Sequence, residues 1–259
     1  GFEMQLSHGG RSKGGDFTYN LSGNFMYAKN KVIYMDETPQ PEGYEYLYLT
    51  GHPMGSSLYY QCIGINRTEE DLKNYPQMAG SGLGDYIYKD IDENGKIDAK
   101  DMLRSDLNTI PQIVFGLTAN FQYKNFDLSI LFQGQALARL HYTPLQAPLE
   151  GNITKEMATQ SWNLDRPDAK YGRINSTNNR KESTMWLRNA SFLRLKNVEL
   201  GYNFSGKALK TVGVKGLRLY IGGYNLFTIS GLKEVDPETN NTAAYPLMRV
   251  FNTGVKVTF

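Results

Sequence analysis

The stretch IVFGLTANFQYKNFDLSILFQ, residues 113–133, alternates with a period of two on both sides of a two-residue break. Phe115, Leu117, Ala119, Phe121 and Tyr123 share one parity, and Thr118, Asn120 and Gln122 share the other. After Lys124 and Asn125 the pattern resumes with Phe126, Leu128, Ile130 and Phe132. Side chains that alternate in this way point to opposite faces of a β-strand, and a gap of two residues joins two such strands as a tight hairpin. The same alternation runs through DFTYNLSGNFMYA, with Phe17, Tyr19, Leu21, Gly23, Phe25 and Tyr27 against Thr18, Asn20, Ser22 and Asn24. It returns in the closing FNTGVKVTF, where Phe251, Val255, Val257 and Phe259 oppose Asn252, Lys256 and Thr258.

Read outward from this hairpin, seven spans emerge: 2–8, 16–28, 113–123, 126–139, 192–204, 216–227 and 249–259. Most match the roughly 9–11 residues that a tilted strand needs to cross a bilayer, whereas soluble sandwiches average about 5–6. The connections alternate in length. GGRSKGG, Lys124-Asn125 and SGKALKTVGVK are short, and residues 29–110, 140–190 and 228–248 are long. Tight turns at one end and large loops at the other are the pattern of an outer-membrane barrel, with the long loops outside the cell. The predicted fold is therefore all-β, an antiparallel transmembrane β-barrel. Seven strands cannot close up and down by themselves, and open edges are unsatisfied in lipid. The expectation that resolves this is the C-terminal portion of a larger barrel, with the chain either processed or a piece of something longer.

Composition narrows the function. The chain has 259 residues and carries a net charge of +2 from 28 basic and 26 acidic side chains, which gives no bulk reason to bind nucleic acid. A single cysteine, Cys62, rules out an internal disulfide and a cysteine metal cluster. His8, His52 and His141 lack paired spacing, so zinc is not expected. No Gly-x-Ser-x-Gly or nucleophile–histidine set appears, and the chain does not read as an enzyme. GSGLGD (80–85) has the wrong spacing for a dinucleotide loop and reads as a turn.

Several stretches taken in order resemble the SusC/RagA class of TonB-dependent outer-membrane transporters. They begin with GDFTYNLSGNFMYAKNKV, TGHPMGSSLYY, an Asp-x-Asp-x-Asn-Gly loop and IPQIVFGLTANFQYKNFDLSILFQG. LRNASFLRLKNVELGYNFS, LRLYIGGYNLFTIS, DPE, YP and RVFNTGVKVTF follow. The resemblance implies a large plugged barrel of the 22-stranded kind. It implies import of oligosaccharides or peptides across the outer membrane, with a SusD-like surface lipoprotein as lid and TonB engaged through an N-terminal part. The plug and TonB-contacting segment have no counterpart in these residues. The alternative is a calcium-stabilised, glycan-binding or adhesin-like β protein.

DIDENGKIDAKD, residues 90–101, is the densest carboxylate cluster. Calcium loops place oxygen ligands at positions 1, 3, 5, 7, 9 and 12 with glycine at 6. Here these are Asp90, Asp92, Asn94, Lys96 through its carbonyl, Asp98 and Asp101, with Gly95 at the turn and apolar Ile97 beside it. The flanks predict a strand before and at most a short turn after, so this is no EF-hand. Calcium bracing a loop and a plain acidic turn both fit. The resemblance implies an acidic loop of this kind, which favours Ca2+.

TEEDLKNY (68–75) predicts a short helix capped by Thr68. Tyr44, Tyr46, Tyr48, Tyr59 and Tyr60 could stack on sugar rings or pack their own loop. Trp162 and Trp186, with Arg166, Arg173, Arg180 and Arg188, could line a substrate vestibule, meet the lid or pack internally. Substrate-binding residues are not otherwise legible.

Overall fold

The computed structural model describes residues 1–142, 153–204, 213–233, 235–239 and 244–259. Among these the strands are β1 (Phe2–Arg11), β2 (Phe17–Tyr27), β3 (Ser57–Tyr60), β4 (Cys62–Ile65), β5 (Tyr86–Tyr88), β6 (Met102–Ser105) and β7 (Ile113–Tyr123). They continue with β8 (Phe126–Ala136), β9 (Arg139–His141), β10 (Leu187–Asn189), β11 (Phe192–Phe204), β12 (Gly216–Ser230) and β13 (Val250–Thr258). Two short helices, α1 (Glu69–Asn74) and α2 (Lys155–Gln160), lie between them. Among the described residues no helix is long and apolar enough to cross a membrane, which says nothing of crossing by strands.

The seven long strands form one antiparallel sheet in the order β1-β2-β7-β8-β11-β12-β13. They are the seven predicted spans, paired as a meander. Its register is what matters for function. His8, Leu21, Ala119, Ile130, Val198, Gly223 and Phe251 stand opposite one another in a row across all seven strands. One residue along, the row is Gly9, Asn20, Asn120, Ser129, Glu199, Gly222 and Asn252. A single step thus exchanges an apolar row for a polar one across the whole width, and a slip at any strand would break both faces.

β11 keeps this alignment only because of an irregularity. Its apolar residues Leu193 and Leu195 are odd-numbered, whereas Val198, Leu200 and Tyr202 are even-numbered. The pairing shifts between Leu195 and Asn197, leaving Lys196 as the extra residue of a bulge. The bulge returns both sets to one face.

The tight-turn end behaves as predicted where it is described. Lys124 takes φ +52, as the first residue of a two-residue hairpin turn can require. β1 runs further than expected, to Arg11, because Gly9 and Gly10 still pair with Asn20 and Tyr19. The Tyr19 ring occupies the space where a Gly10 side chain would sit, 2.7 Å from an ideal Cβ. β8 ends at Ala136 rather than 139, since Leu137 adopts φ +55. Residues 205–212 of the predicted SGKALKTVGVK turn lie outside the described residues.

The chain folds into two compact units. One comprises residues 1–29, 110–138 and 189–259, the sheet and its connections. The other, residues 30–109 and 139–188, assembles two of the long connections. Expected as long loops with a short helix at 68–75 and a strand before residue 90, they hold α1 and β5 there and, among the described residues, five further short strands, a second helix and a core of their own. Tyr60, Ile65, Tyr86, Ile87, Tyr88, Met157, Tyr171 and Trp186 are all buried there. Apart from β5, these strands of three or four residues are too short for alternation to reveal them.

Candidate functional site

The sheet presents two chemically distinct surfaces. On the apolar face Leu6 is 63% exposed, Leu117 47%, Ile221 60% and Phe251 77%. Among the described residues, those in the apolar rows are unburied except the glycines Gly134 and Gly223; the buried hydrophobic residues of this unit are Ala138, Ala190, Phe192 and Leu232. A soluble sandwich would cover this face with a second layer. Monomeric soluble proteins seldom expose continuous apolar patches beyond a few hundred Å². A face of this extent, on strands of 9 to 15 residues, is suited to lipid. Near the tight turns the same face gathers rings: Phe17 stacks on Tyr19 and Phe121, and Tyr202 meets Phe126 and Phe204 edge-on at 4.7 Å. Such a cluster fits the aromatic girdle at a membrane boundary.

The opposite face carries amides, hydroxyls and charges. Near the tight turns Arg218 pairs with Asp127 and, at 2.8 Å, with Glu199, while Asn203 donates to Asp127 at 2.7 Å. Charges set on one face and satisfied by one another belong to a surface turned away from lipid.

In the other unit, the acidic loop follows β5, whose three residues are buried. A 3-10 turn over Ala99–Asp101 follows it, leading into β6. Gly95 adopts φ +80, the backbone state that the predicted turn glycine requires. Ile97 is buried, as its place beside the turn suggested. Carboxylate oxygens of Asp90, Asp92 and Asp101 lie within 4.8 Å of one another. Oxygens held at about 2.3–2.6 Å from one ion lie at most about 5 Å apart, so this triangle has calcium dimensions. Asp90 Oδ2 accepts from Gly95 N at 2.8 Å, while its Oδ1 is buried without a donor. Asp101 is fully buried and accepts from Ile91 N at 2.7 Å and Asp98 N at 2.8 Å. Asn94 bridges the loop: its Nδ2 donates to Asp92 at 2.8 Å and its Oδ1 accepts from Lys96 N at 2.9 Å.

Asp98 lies outside this triangle. Its carboxylate caps the 3-10 turn, accepting from Lys100 N at 2.8 Å. Lys96 joins the loop through its backbone N–H. Two partners were not foreseen: the Tyr44 hydroxyl donates to Asp92 at 2.8 Å, and Tyr46 donates to the Lys100 carbonyl at 2.5 Å. The Tyr44 hydrogen bond holds the Asp92 carboxyl below its usual range. Tyrosine density in residues 44–60 was the only sequence signal, since these partners are some fifty positions away.

The remaining tyrosines also serve the unit itself. Tyr48 accepts from Gln40 N at 2.7 Å, Tyr60 is buried against Tyr88, and Tyr59 lies beside His141. Trp186 is buried, stacked on Tyr171 and edge-on to Tyr86. Trp162 covers Gly84, at φ +82, with 2.3 Å between the ring and an ideal Cβ, so no larger residue fits there. Arg173 chelates buried Asp85 at 2.7 and 2.8 Å. Arg166 and Arg188 bind backbone carbonyls, and Arg180 ends the short helix Asn178–Arg180. Thr68 caps α1 in a reciprocal box with Asp71, as its sequence predicted.

A meander with one lipid-suited face and one polar face defines the wall of an outer-membrane β-barrel. No family model matches the chain. It is 27% identical to TonB-dependent receptor P3 of Formosa agariphila over 279 residues, covering 94% of this chain and 27% of that protein. It is also 27% identical to TonB-dependent receptor SusC of Bacteroides thetaiotaomicron, covering 94% of this chain and 25% of that one. The RagAB peptide transporter structure superposes over 99% of this chain and 29% of its own, with a TM-score of 0.75 at 20% identity, which shows the fold. The chain thus resembles TonB-dependent receptors of the SusC/RagA type, and the curated relatives it matches are named as receptors. It spans about a quarter of the length of the curated relatives it matches.

Proposed function

We propose that this chain forms part of the wall of an energy-coupled importer that carries oligosaccharides or peptides across the outer membrane. The observation that carries the reading is the register-locked separation of an apolar and a polar face over seven strands. The relatives named TonB-dependent receptors support energy coupling, and the fold neighbour that transports peptides supports that cargo class. In the whole receptor the polar face lines the lumen around a plug, TonB acts through an N-terminal part outside these residues, and a SusD-like lipoprotein closes the mouth. The long connections near 29–110, 140–190 and 228–248 lie on the extracellular side. The test is uptake of a labelled oligosaccharide or peptide panel by cells carrying the intact receptor, with and without TonB. Uptake that needs both supports the reading, and uptake unaffected by loss of TonB removes it.

The acidic loop is read as a calcium brace within the same receptor. Asp90, Asp92 and Asp101 would hold the ion, with Asn94, the Lys96 carbonyl and Asp98 completing the ligand set by motif. The unpaired, buried Asp90 Oδ1 supports this over a plain acidic turn. The ion would contribute rigidity and no chemistry. Calcium titration of the intact receptor tests it: saturable binding lost in Asp90→Asn is expected, and binding unchanged by that substitution would remove this loop as the site.

A further inference from the structure

The polar face carries one charged cluster that neither transport nor calcium explains. Arg194 of β11 is 2% exposed and uses its whole guanidinium. Nε donates to Thr228 Oγ1 at 2.9 Å, Nη1 to Glu238 Oε2 at 2.6 Å, and Nη2 to both Asp236 oxygens at 2.7 and 2.8 Å. Lys196, the bulge residue, reaches both Glu238 oxygens at 2.8 and 3.0 Å. Two cations meet two carboxylates, so the cluster is neutral only when complete.

Both carboxylates come from the turn Asp236–Thr239 in the β12–β13 connection. The turn is preformed: Asp236 Oδ1 accepts from Glu238 N at 3.0 Å, and the Asp236 carbonyl accepts from Thr239 N at 3.1 Å, with Pro237 as the second residue. Proline there presets the turn, and the Asp side chain closes it from the front. Gln135 of β8 adds a bond to the Pro237 carbonyl at 3.3 Å. A buried arginine bound to two carboxylates is strongly disfavoured once either is withdrawn, because a charge is then left buried and unpaired. The contact therefore closes or opens as a unit.

We propose that Arg194, Lys196, Asp236 and Glu238 form a latch that holds the Asp236–Thr239 turn against the polar face of the sheet. The turn is then a fixed strap against that face. Where the polar face lines the lumen, the strap narrows the passage at its long-connection end.

Limited trypsin digestion of the intact receptor in detergent reads the latch directly, because Lys233 and Arg249 flank the turn and both are exposed. The wild type should resist cleavage at these sites. Arg194→Met and Asp236→Asn should be cut there roughly tenfold faster or more, as expected when local opening governs cleavage. Heat-modifiable gel mobility reports barrel integrity in each variant. Should Arg194→Met fail to form a barrel, Asp236→Asn, which leaves the strand intact, decides the matter. Equal cleavage of the wild type and of a barrel-forming variant overturns the latch. The readout does not involve uptake, so its failure is separable from failure of the import reading.

Discussion

Asp101 accepts two backbone N–H groups, one from each side of its loop, and is fully buried. Replacing it by Ala strands both donors, each costing about 1–3 kcal/mol, so the loop should open even when calcium is abundant. Asp90→Asn should instead preserve the apo fold and lose the ion. Protease sensitivity near residues 90–101, measured with and without a chelator, separates the two: Asp101→Ala should be sensitive in both conditions, and the wild type only with the chelator. Acid acts on the same neighbourhood. Glu37 accepts from the Thr50 hydroxyl and the Leu49 and Thr50 N–H groups, which lower its pKa from 4.5, the hydroxyl contributing most. Asp92 is likewise lowered from 3.8, chiefly by Tyr44. A depressed carboxyl contributes its stability above the unfolded value and loses it as pH falls through the folded one. Amide protection at Leu49 and Thr50 should therefore persist from neutral pH down to 4.5 and decline only below it. Protection already lost above pH 4.5 would contradict this assignment. The loop motif could be read at this scale because its ligands are contiguous. The Tyr44 and Arg194 contacts could not, because their partners are about 40 to 50 positions away.

Lys196 shows what alternation can and cannot reveal about an element. The sequence FLRLKNVELGYNF changes parity in its middle, and a strand reading alone passes over the change. The register explains it, since one extra residue restores Leu193 and Leu195 to the face of Val198 and Leu200. Deleting Lys196 should therefore send one half of β11 to the wrong face, with Arg194 turned toward the apolar side. The expected result is loss of the heat-modifiable barrel, whereas Lys196→Ala should weaken the latch and keep the barrel. A barrel that survives the deletion unchanged would show that the bulge does not set the register. The seven strands themselves were legible because each is long enough to alternate several times. Their ends were less so. Gly9 and Gly10 read as a turn, yet remain in β1 because the Tyr19 ring fills the space beside Gly10. Of the short strands in the second unit only β5 was legible, as the strand before the acidic loop.

Over the whole molecule, function depends on which face of the sheet meets lipid. Ile130 and Ser129 are neighbours in β8, one in the apolar central row and one in the polar row beside it. Arginine at a lipid-facing mid-strand position costs about 2–4 kcal/mol, while a lumen position tolerates it. Ile130→Arg should therefore lower folding stability in lipid by that amount, and Ser129→Arg, which lies opposite Glu199, should not; urea unfolding in vesicles compares the two. The most direct measurement follows a single strand. Cysteines placed one at a time from Val114 to Gln122 in the intact, membrane-embedded receptor, with Cys62 replaced by Ser, can be probed with a charged aqueous thiol reagent and with a lipid-confined quencher. Strict period-two alternation is expected: positions 115, 117, 119 and 121 quenched from lipid and shielded from the aqueous reagent, and 114, 116, 118, 120 and 122 the reverse. Aqueous labelling at both parities, with no lipid quenching at either, would contradict it.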